Sequence, residues 1–224
     1  MSWSKHHRSS GRGKSRRSYH HGNLREALIE AALDLIADKG PAGFTFAEAA
    51  RAAGVSPAAP YRHFADRDAL MADVARRGFE RLEAALSEAW ADGRPSPMTA
   101  FQAVGRAYLA FAAEEPAYYA AMFETGLPPD LDPQLAQAGD LAFGVMRTAC
   151  ETIAATMPAD RRPPAMMMSL HIWALAHGIA SLFARGDAAR RPLPMPPEDL
   201  LEAGVLIYLE GLGLRDDGKP TETR

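Results

Sequence analysis

Cysteine is almost absent from this chain, and the shortage excludes several classes of protein. The 224 residues include one cysteine, Cys150. A single thiol cannot form an intrachain disulfide and offers no cysteine cluster to a metal, so the composition favours a reducing compartment. No apolar run follows the basic residues near the N-terminus, so we expect no secretory signal. These absences predict a cytoplasmic protein.

The residue sets of common catalytic sites are missing as well. The sequence contains no Cys-His-Asp set, no glycine-rich phosphate loop and no His-Glu-X-X-His string. His171 and His177 would lie roughly 120° apart around a helix, so they cannot bind one metal from one face. We interpret each as a hydrogen-bonded histidine of a core or interface, with contact to a ligand as the alternative. The sequence predicts no enzyme, and no catalytic residue, cofactor or metal.

Long apolar runs are limited to one, from Ala165 to Ala184. The run is about as long as a membrane span and carries no formal charge. It also contains two histidines and two serines. We therefore interpret it as a helix buried in a core or in a dimer interface, and we expect no membrane partner.

Charge is distributed unevenly along the chain. Residues 1–70 carry 11 Lys+Arg and 7 Asp+Glu, whereas residues 71–224 carry 14 and 21. A basic head on an acidic body is typical of a nucleic-acid-binding end joined to a separate sensing or assembly end. Residues 1–18 contain no acidic residue and are predicted to be a disordered basic arm. The arm is either a solvated tail or an extension that follows phosphates or enters a minor groove.

The basic head contains a helix-turn-helix pattern. Thr45 and Glu48 have the spacing of a capping box at the start of an alanine-rich helix, and Gly54 ends that helix. Ser56 is predicted to cap a second helix of about two turns, with Pro57 at its first position. Two helices joined by a short turn that contains glycine are typical of the DNA-binding helix-turn-helix, whose second helix enters the major groove.

Residue types on the second helix suit a surface that contacts DNA. Its first residues are small or polar, and the following ones supply hydroxyl, guanidinium and imidazole donors for phosphate oxygens. The residues predicted to contact DNA are Thr45, Ser56, Pro57, Ala58, Ala59, Tyr61, Arg62, His63 and Arg67. Pro60 should tighten or shorten this helix. The alternative is an all-α scaffold or binding protein whose helix-turn-helix is only structural, and the basic charge confined to the head favours DNA binding.

Apolar residues at helical spacing and proline-rich breaks continue to the end of the chain. They predict an all-α protein of about nine helices without a strand. Asp66 should cap a long helix that reaches Trp90 and is shared by head and body. The predicted domains are a basic arm (1–18), a helix-turn-helix domain (19–66), a regulatory and dimerisation domain (67–215) and a disordered tail (216–224).

Three segments together resemble a known family. They are REALIEAALDLIADKG (Arg25 to Gly40), FTFAEAARAAGVS (Phe44 to Ser56) and YRHFADRDAL (Tyr61 to Leu70). They are similar to the head of TetR-type transcriptional regulators, and Trp173, His177 and Gly178 match the Trp...His-Gly motif of one branch. The resemblance implies a homodimer that binds a double-stranded DNA operator. It also implies a repressor, released when an apolar small molecule enters a cavity between head and dimer interface.

Aromatic and methionine residues from four helical segments could form that cavity. The predicted lining residues are Tyr108, Tyr118, Tyr119, Met122, Phe123, Met146, Trp173 and His177. Such a pocket would be mostly apolar with a few hydroxyl and imidazole groups, and the alternative is that these side chains fill the core. The helices over 164–185 and 198–214 have long apolar faces. They are predicted to pair with their copies across a two-fold axis.

Overall fold

The computed structural model describes residues 24–128, 131–184 and 194–214, and these residues form an all-α fold. The eight α-helices are α1 (Leu24–Lys39), α2 (Phe46–Ala52), α3 (Arg67–Trp90), α4 (Pro97–Glu114), α5 (Pro116–Phe123), α6 (Pro133–Ala155), α7 (Ala165–Ala184) and α8 (Pro197–Gly211). Short 3₁₀ helices cover Pro60–Arg62 and Ala91–Gly93. No β-strand occurs within the described ranges, so the predicted all-α class is confirmed. The basic arm (1–18) and the tail (216–224) lie outside the described residues.

Helices α2 and α3 begin at side-chain caps, and α2 is followed by a glycine. The Thr45 hydroxyl accepts the Glu48 backbone N–H at 3.2 Å, and the Glu48 carboxylate accepts the Thr45 N–H at 2.8 Å, which completes the predicted capping box. The Asp66 carboxylate caps α3 by accepting the N–H of Ala69 at 2.8 Å. Gly54 adopts a φ of 74° after α2, a left-handed conformation that favours glycine. These predicted helix boundaries are confirmed.

We expect Glu48→Gln to destabilise the protein at neutral pH and to have little effect near pH 2. Hydrogen bonds from the Thr45 backbone and from Lys39 lower the Glu48 pKa to about 2. Because the unfolded-state pKa is higher, about 4.3, the stabilisation is complete above that pH and is lost as the pH falls toward 2. Thermal unfolding of both proteins across this range would measure it. A difference in stability that stays constant with pH would contradict this account.

Helix α3 is the element around which the others pack. It contacts α1 in the head and α4, α5 and α6 in the body. Its buried side includes Leu70, Val74, Leu82 and Leu86. At Gly78 the α5 helix lies so close that an added Cβ would stand 2.6 Å from the Met122 sulfur. One continuous helix therefore joins the head to the body, as predicted.

An ion-pair cluster fixes α1 against the first half of α3. Asp73 on α3 is buried, and its carboxylate accepts hydrogen bonds from Arg25 of α1 at 3.0 Å and from Arg76 at 2.6 Å. Arg77 forms a two-pronged pair with Glu26 of α1 at 2.5 and 2.6 Å. Burial alone would raise the Asp73 pKa, but the arginine hydrogen bonds outweigh it and hold the pKa below its ordinary value.

Helix α7 contains the apolar run. Within the described residues its segment 165–183 is the one candidate membrane span, with a mean hydropathy of 1.4. One side of α7 packs against α4, α6 and α8, and Met168, Ile172, Ala176 and Ile179 are buried there. Packing inside the helical body accounts for the apolar residues on that side.

Candidate DNA-contacting surface and body cavity

The second helix predicted for the helix-turn-helix, which would enter the major groove, is replaced by tighter turns. The prediction of a two-turn α-helix that Ser56 caps and Pro57 opens is wrong. The Ser56 carbonyl accepts the N–H of Ala59 at 3.0 Å in a turn, and only Pro60–Arg62 is helical, with 3₁₀ geometry and no side-chain cap. In an α-helix the Ser56 carbonyl would bond to the N–H of residue 60, and proline has none. The missing donor and the bulk of the Pro60 ring explain the shorter element.

Burial divides this segment into an anchoring side and an outward side. Pro60 and Phe64 are buried in the head, and the Arg25 guanidinium covers the Phe64 ring at 5.0 Å. Tyr61 is 63% exposed, and its ring meets the edge of Phe46 at 5.1 Å. The remaining predicted contact residues of the segment, Ser56, Pro57, Ala58, Arg62 and His63, are exposed, and Ala59 is half-buried. The segment thus presents its polar side chains from a backbone fixed by two buried residues.

Two of the predicted DNA-contacting residues are engaged within the head. Thr45 is exposed but forms the capping box of α2. The Arg67 guanidinium donates to the Phe44 carbonyl at 3.0 Å and to the Pro41 carbonyl, and it lies 4.9 Å from the centre of the Phe44 ring. These bonds fasten the loop between α1 and α2 to the start of α3.

The body contains an apolar cavity of about 350 Å³ between α3, α4, α5, α6 and α7. We call it the inner cavity, and it is lined by Phe79, Leu82, Leu86, Tyr108, Phe123, Gly139, Ala142, Phe143, Met146, Leu170 and Trp173. Four of the eight predicted pocket residues are among them: Tyr108, Phe123, Met146 and Trp173. No charged side chain lines the cavity. Its size is within the usual range for small-molecule sites, roughly 300–1,000 Å³.

A hydrogen-bonded cluster adjoins the inner cavity. The Nδ1 atom of His177 lies 3.0 Å from the Tyr108 hydroxyl and 2.9 Å from the Tyr119 hydroxyl. The Tyr119 hydroxyl is also 3.4 Å from Ser181. Burial raises the pKa of Tyr108, which therefore stays a neutral phenol. Tyr108 is the one member of the cluster that lines the inner cavity, and we call its hydroxyl the polar corner of that cavity.

Of the other predicted pocket residues, Tyr119 and His177 belong to this adjoining cluster, whereas Tyr118 and Met122 lie elsewhere. Tyr118 packs under the Arg81 guanidinium at 4.7 Å, and Met122 lines a second cavity closer to the head.

Sequence reasoning missed the lining residues of α3 and all those of α6 except Met146; Phe79 and Gly139 are examples. Gly139 and Ala142 are small residues three positions apart on α6, and both line the cavity. Two small residues on one side of a helix are the sequence feature that could have indicated the cavity beside α6.

Both histidines of α7 are hydrogen-bonded to tyrosines; His177 is half-buried and His171 is exposed. His171 Nδ1 lies 3.2 Å from the Tyr208 hydroxyl of α8, and His177 joins the cluster described above. Among the described residues no group of three His, Cys, Asp or Glu side chains could hold a metal ion.

The small basic head and the larger helical body with a cavity define a class: helix-turn-helix DNA-binding proteins with a separate regulatory domain. Two family models match the chain. The model described as bacterial regulatory proteins, tetR family, matches residues 28–74, and the tetracyclin repressor-like C-terminal domain matches residues 101–207. The chain belongs to the TetR family, and it is a DNA-binding transcriptional regulator.

Solved structures agree with this assignment. A protein of unknown function from Rhodococcus sp. RHA1 is 31% identical, covers 87% of this chain and 98% of its own, and superimposes with a TM-score of 0.70. A transcriptional regulator from Rhodococcus sp. Rha1 is 26% identical, with coverages of 84% and 96% and a TM-score of 0.63. The TetR family regulator PfmR from Thermus thermophilus, at 19% identity, coverages of 83% and 96% and a TM-score of 0.61, shares the fold. No curated protein sequence matches the chain at a significant level.

Proposed function

We propose that this protein is a cytoplasmic, homodimeric repressor whose two heads bind an operator and whose body releases it when a neutral apolar molecule is bound. One observation supports DNA binding above the others: Tyr61, Arg62 and His63 are exposed. They lie beside Pro60 and Phe64, which are buried in the head. A fixed backbone that presents polar donors suits contact with phosphates, which position a protein on DNA.

The proposed contacts fall into two groups. Tyr61, Arg62 and His63 supply donors to phosphate oxygens, while the small residues from Ser56 to Ala59 let the backbone approach base edges closely. Arg67 supports this surface from within the head, because its donors already bind the carbonyls of Phe44 and Pro41.

Exposed apolar stripes on α7 and α8 support the proposed homodimer. The α7 stripe consists of Met167, Leu170, Ala174, Gly178 and Leu182, which recur every three or four residues and are all exposed. The α8 stripe consists of Ala203, Ile207 and Gly211, and Ile207 is 70% exposed. The two helices pack side by side, and the small residues at the centre of the α7 stripe permit close approach of a second copy. A stripe of this kind on a soluble chain favours an interface.

The inner cavity supports the proposed effector. A site with one polar corner and no charged lining suits a neutral apolar molecule and disfavours a sugar phosphate or nucleotide. Because α3 forms one wall of the cavity and continues to the head, a guest that prefers one arrangement of α3 would change the spacing of the two heads. The coupling free energy between guest binding and DNA binding cannot exceed the difference in the guest's affinity for the two arrangements of α3. Such coupling is typically about 1–3 kcal/mol.

DNA binding is tested first by sequencing the genomic fragments that the purified protein retains, which identifies the operator. Tyr61→Ala and His63→Ala should then each weaken binding to operator and to random DNA alike, by about tenfold, because a hydrogen bond to a charged phosphate is worth roughly 1.5 kcal/mol or more. Fluorescence anisotropy at fixed salt would measure both affinities.

Arg147→Ala provides the control, since Arg147 is an exposed arginine of α6 in the body and its loss should leave both affinities unchanged. If either head variant lost discrimination between operator and random DNA while keeping its total affinity, the residue would contact bases, and its assignment to phosphates would be wrong.

A further inference from the structure

A second cavity lies directly beside the inner one. This outer cavity, of about 380 Å³, is bounded by α3, α5, α6 and the loop after α5. The inner and outer cavities share three lining residues: Phe79, Phe123 and Gly139. These three residues therefore form the wall between them.

The wall is built from two aromatic rings packed beside a glycine. The rings of Phe79 and Phe123 meet edge to face with their centres 5.5 Å apart. A Cβ placed on Gly139 would stand 3.9 Å from the Phe79 ring, an ordinary van der Waals distance, so the ring lies directly beside α6 at Gly139. Phe79 is thus held between α5 and α6, and its side chain occupies the space through which the two cavities would otherwise join.

The two cavities differ in the groups they offer. The inner cavity is apolar except at Tyr108, whereas the outer cavity also includes Thr125 and Asp140. The inner cavity is also lined by Leu170, which is 47% exposed and belongs to the α7 stripe. In the proposed dimer the partner would cover Leu170. A ligand too long for the inner cavity could then extend through the wall into the outer cavity.

We propose that Phe79 and Phe123 determine the length of ligand that the body accepts. The inference rests on the proposed function of the inner cavity as the effector site. With the wall in place the site holds a compact apolar molecule, because 350 Å³ is about twice the roughly 150 Å³ cavity known to hold benzene. Without the wall the available space roughly doubles and gains a polar end, which suits a longer amphipathic chain.

A homologous series of straight-chain 1-alkanols tests the wall. Each methylene buried should tighten binding about fourfold until the inner cavity is full, after which affinity stops rising. Phe79→Ala should move this cut-off to a chain several methylenes longer, while affinity for the short alkanols stays equal or falls. Isothermal titration calorimetry on the wild-type and variant proteins would measure the series. Phe79→Leu, which keeps an apolar side chain and so preserves the fold, should move the cut-off in the same direction by less.

Two control variants distinguish loss of the wall from a simple increase in the volume of either cavity. Leu82 lines only the inner cavity, so Leu82→Ala should move the cut-off by no more than the volume of the deleted side chain. Leu135 lines only the outer cavity, so Leu135→Ala should leave the cut-off unchanged. If both Phe79 variants remain folded and keep the wild-type cut-off, the wall assignment is overturned while the effector site stands. If no alkanol of any length binds the wild-type protein, the apolar effector site and the wall assignment both fail.

Discussion

Replacing Ile207 by arginine should convert the proposed dimer to a folded monomer. The side chain is 70% exposed in the single chain, so the monomer can hold the new charge in water. In the proposed interface the charge would be buried without a partner, which costs about 3–5 kcal/mol. A two-fold interface contains two copies of it, so the dimer dissociation constant should rise by about 10⁴-fold or more. Ala174→Arg, on the α7 stripe, should act in the same way.

Loss of the dimer should also be the most damaging change for operator binding. Two linked heads gain roughly 10²–10⁴ in affinity over one head, because the second contact becomes intramolecular. Light scattering coupled to size exclusion would give the mass, and anisotropy would give the affinity. Leu141→Arg is the matched control, since Leu141 is 57% exposed but lies on α6 outside both stripes. A wild-type chain that is monomeric and well folded at micromolar concentration would contradict the proposed dimer.

Asp73→Ala should be the most destabilising single substitution at the junction of head and body. The Asp73 side chain is only 6% exposed and pairs with Arg25 and Arg76. Removing one partner of a buried ion cluster leaves uncompensated charge and costs about 3 kcal/mol, near the lower end of the usual range because the arginines are partly exposed. For a chain of this length that corresponds to a fall in Tm of about 6–12 °C.

Differential scanning calorimetry would measure this loss, and an exposed ion pair provides the comparison. Glu151→Ala breaks the surface pair with Arg147 on α6 and should cost no more than about 0.5 kcal/mol.

The stabilisation by Asp73 should also depend on pH in a known direction. Because the folded-state pKa of Asp73 is lowered, its stabilisation is present above the ordinary aspartate pKa and is lost as the pH falls below it. The destabilisation by Asp73→Ala should therefore shrink in acid, and a loss below about 1 kcal/mol at pH 7 would refute the role of the cluster.

The ion cluster and the cavity wall lie on the same helix. Asp73 fixes the first half of α3 to α1, and Phe79, less than two turns further on, borders both cavities. A guest that displaces α3 at Phe79 would therefore act on a segment whose other contacts hold the head. This arrangement gives the proposed regulation a continuous physical route through one rigid element.

Features of the fold that depend on neighbouring residues could be predicted from the residue pattern alone. The capping box of Thr45 and Glu48, the cap at Asp66 and the helix stop at Gly54 need only atoms a few residues apart, so their spacing was sufficient. The all-α class follows from the same local periodicity. Even the shortening at Pro60 was predictable in direction, since the lost donor is a property of proline itself.

Contacts between side chains that are distant in the chain could not be predicted from local patterns. Arg25 and Asp73 lie 48 residues apart, and no local pattern indicates that α1 and α3 bring them into contact. The aromatic residues of α5 were all candidates for the pocket, yet Tyr118 packs beneath Arg81 while Phe123 reaches the cavity. Helical periodicity gives the face of a residue, but the neighbour on that face depends on how the helices cross. That crossing is set by packing of the whole core, which no short segment encodes.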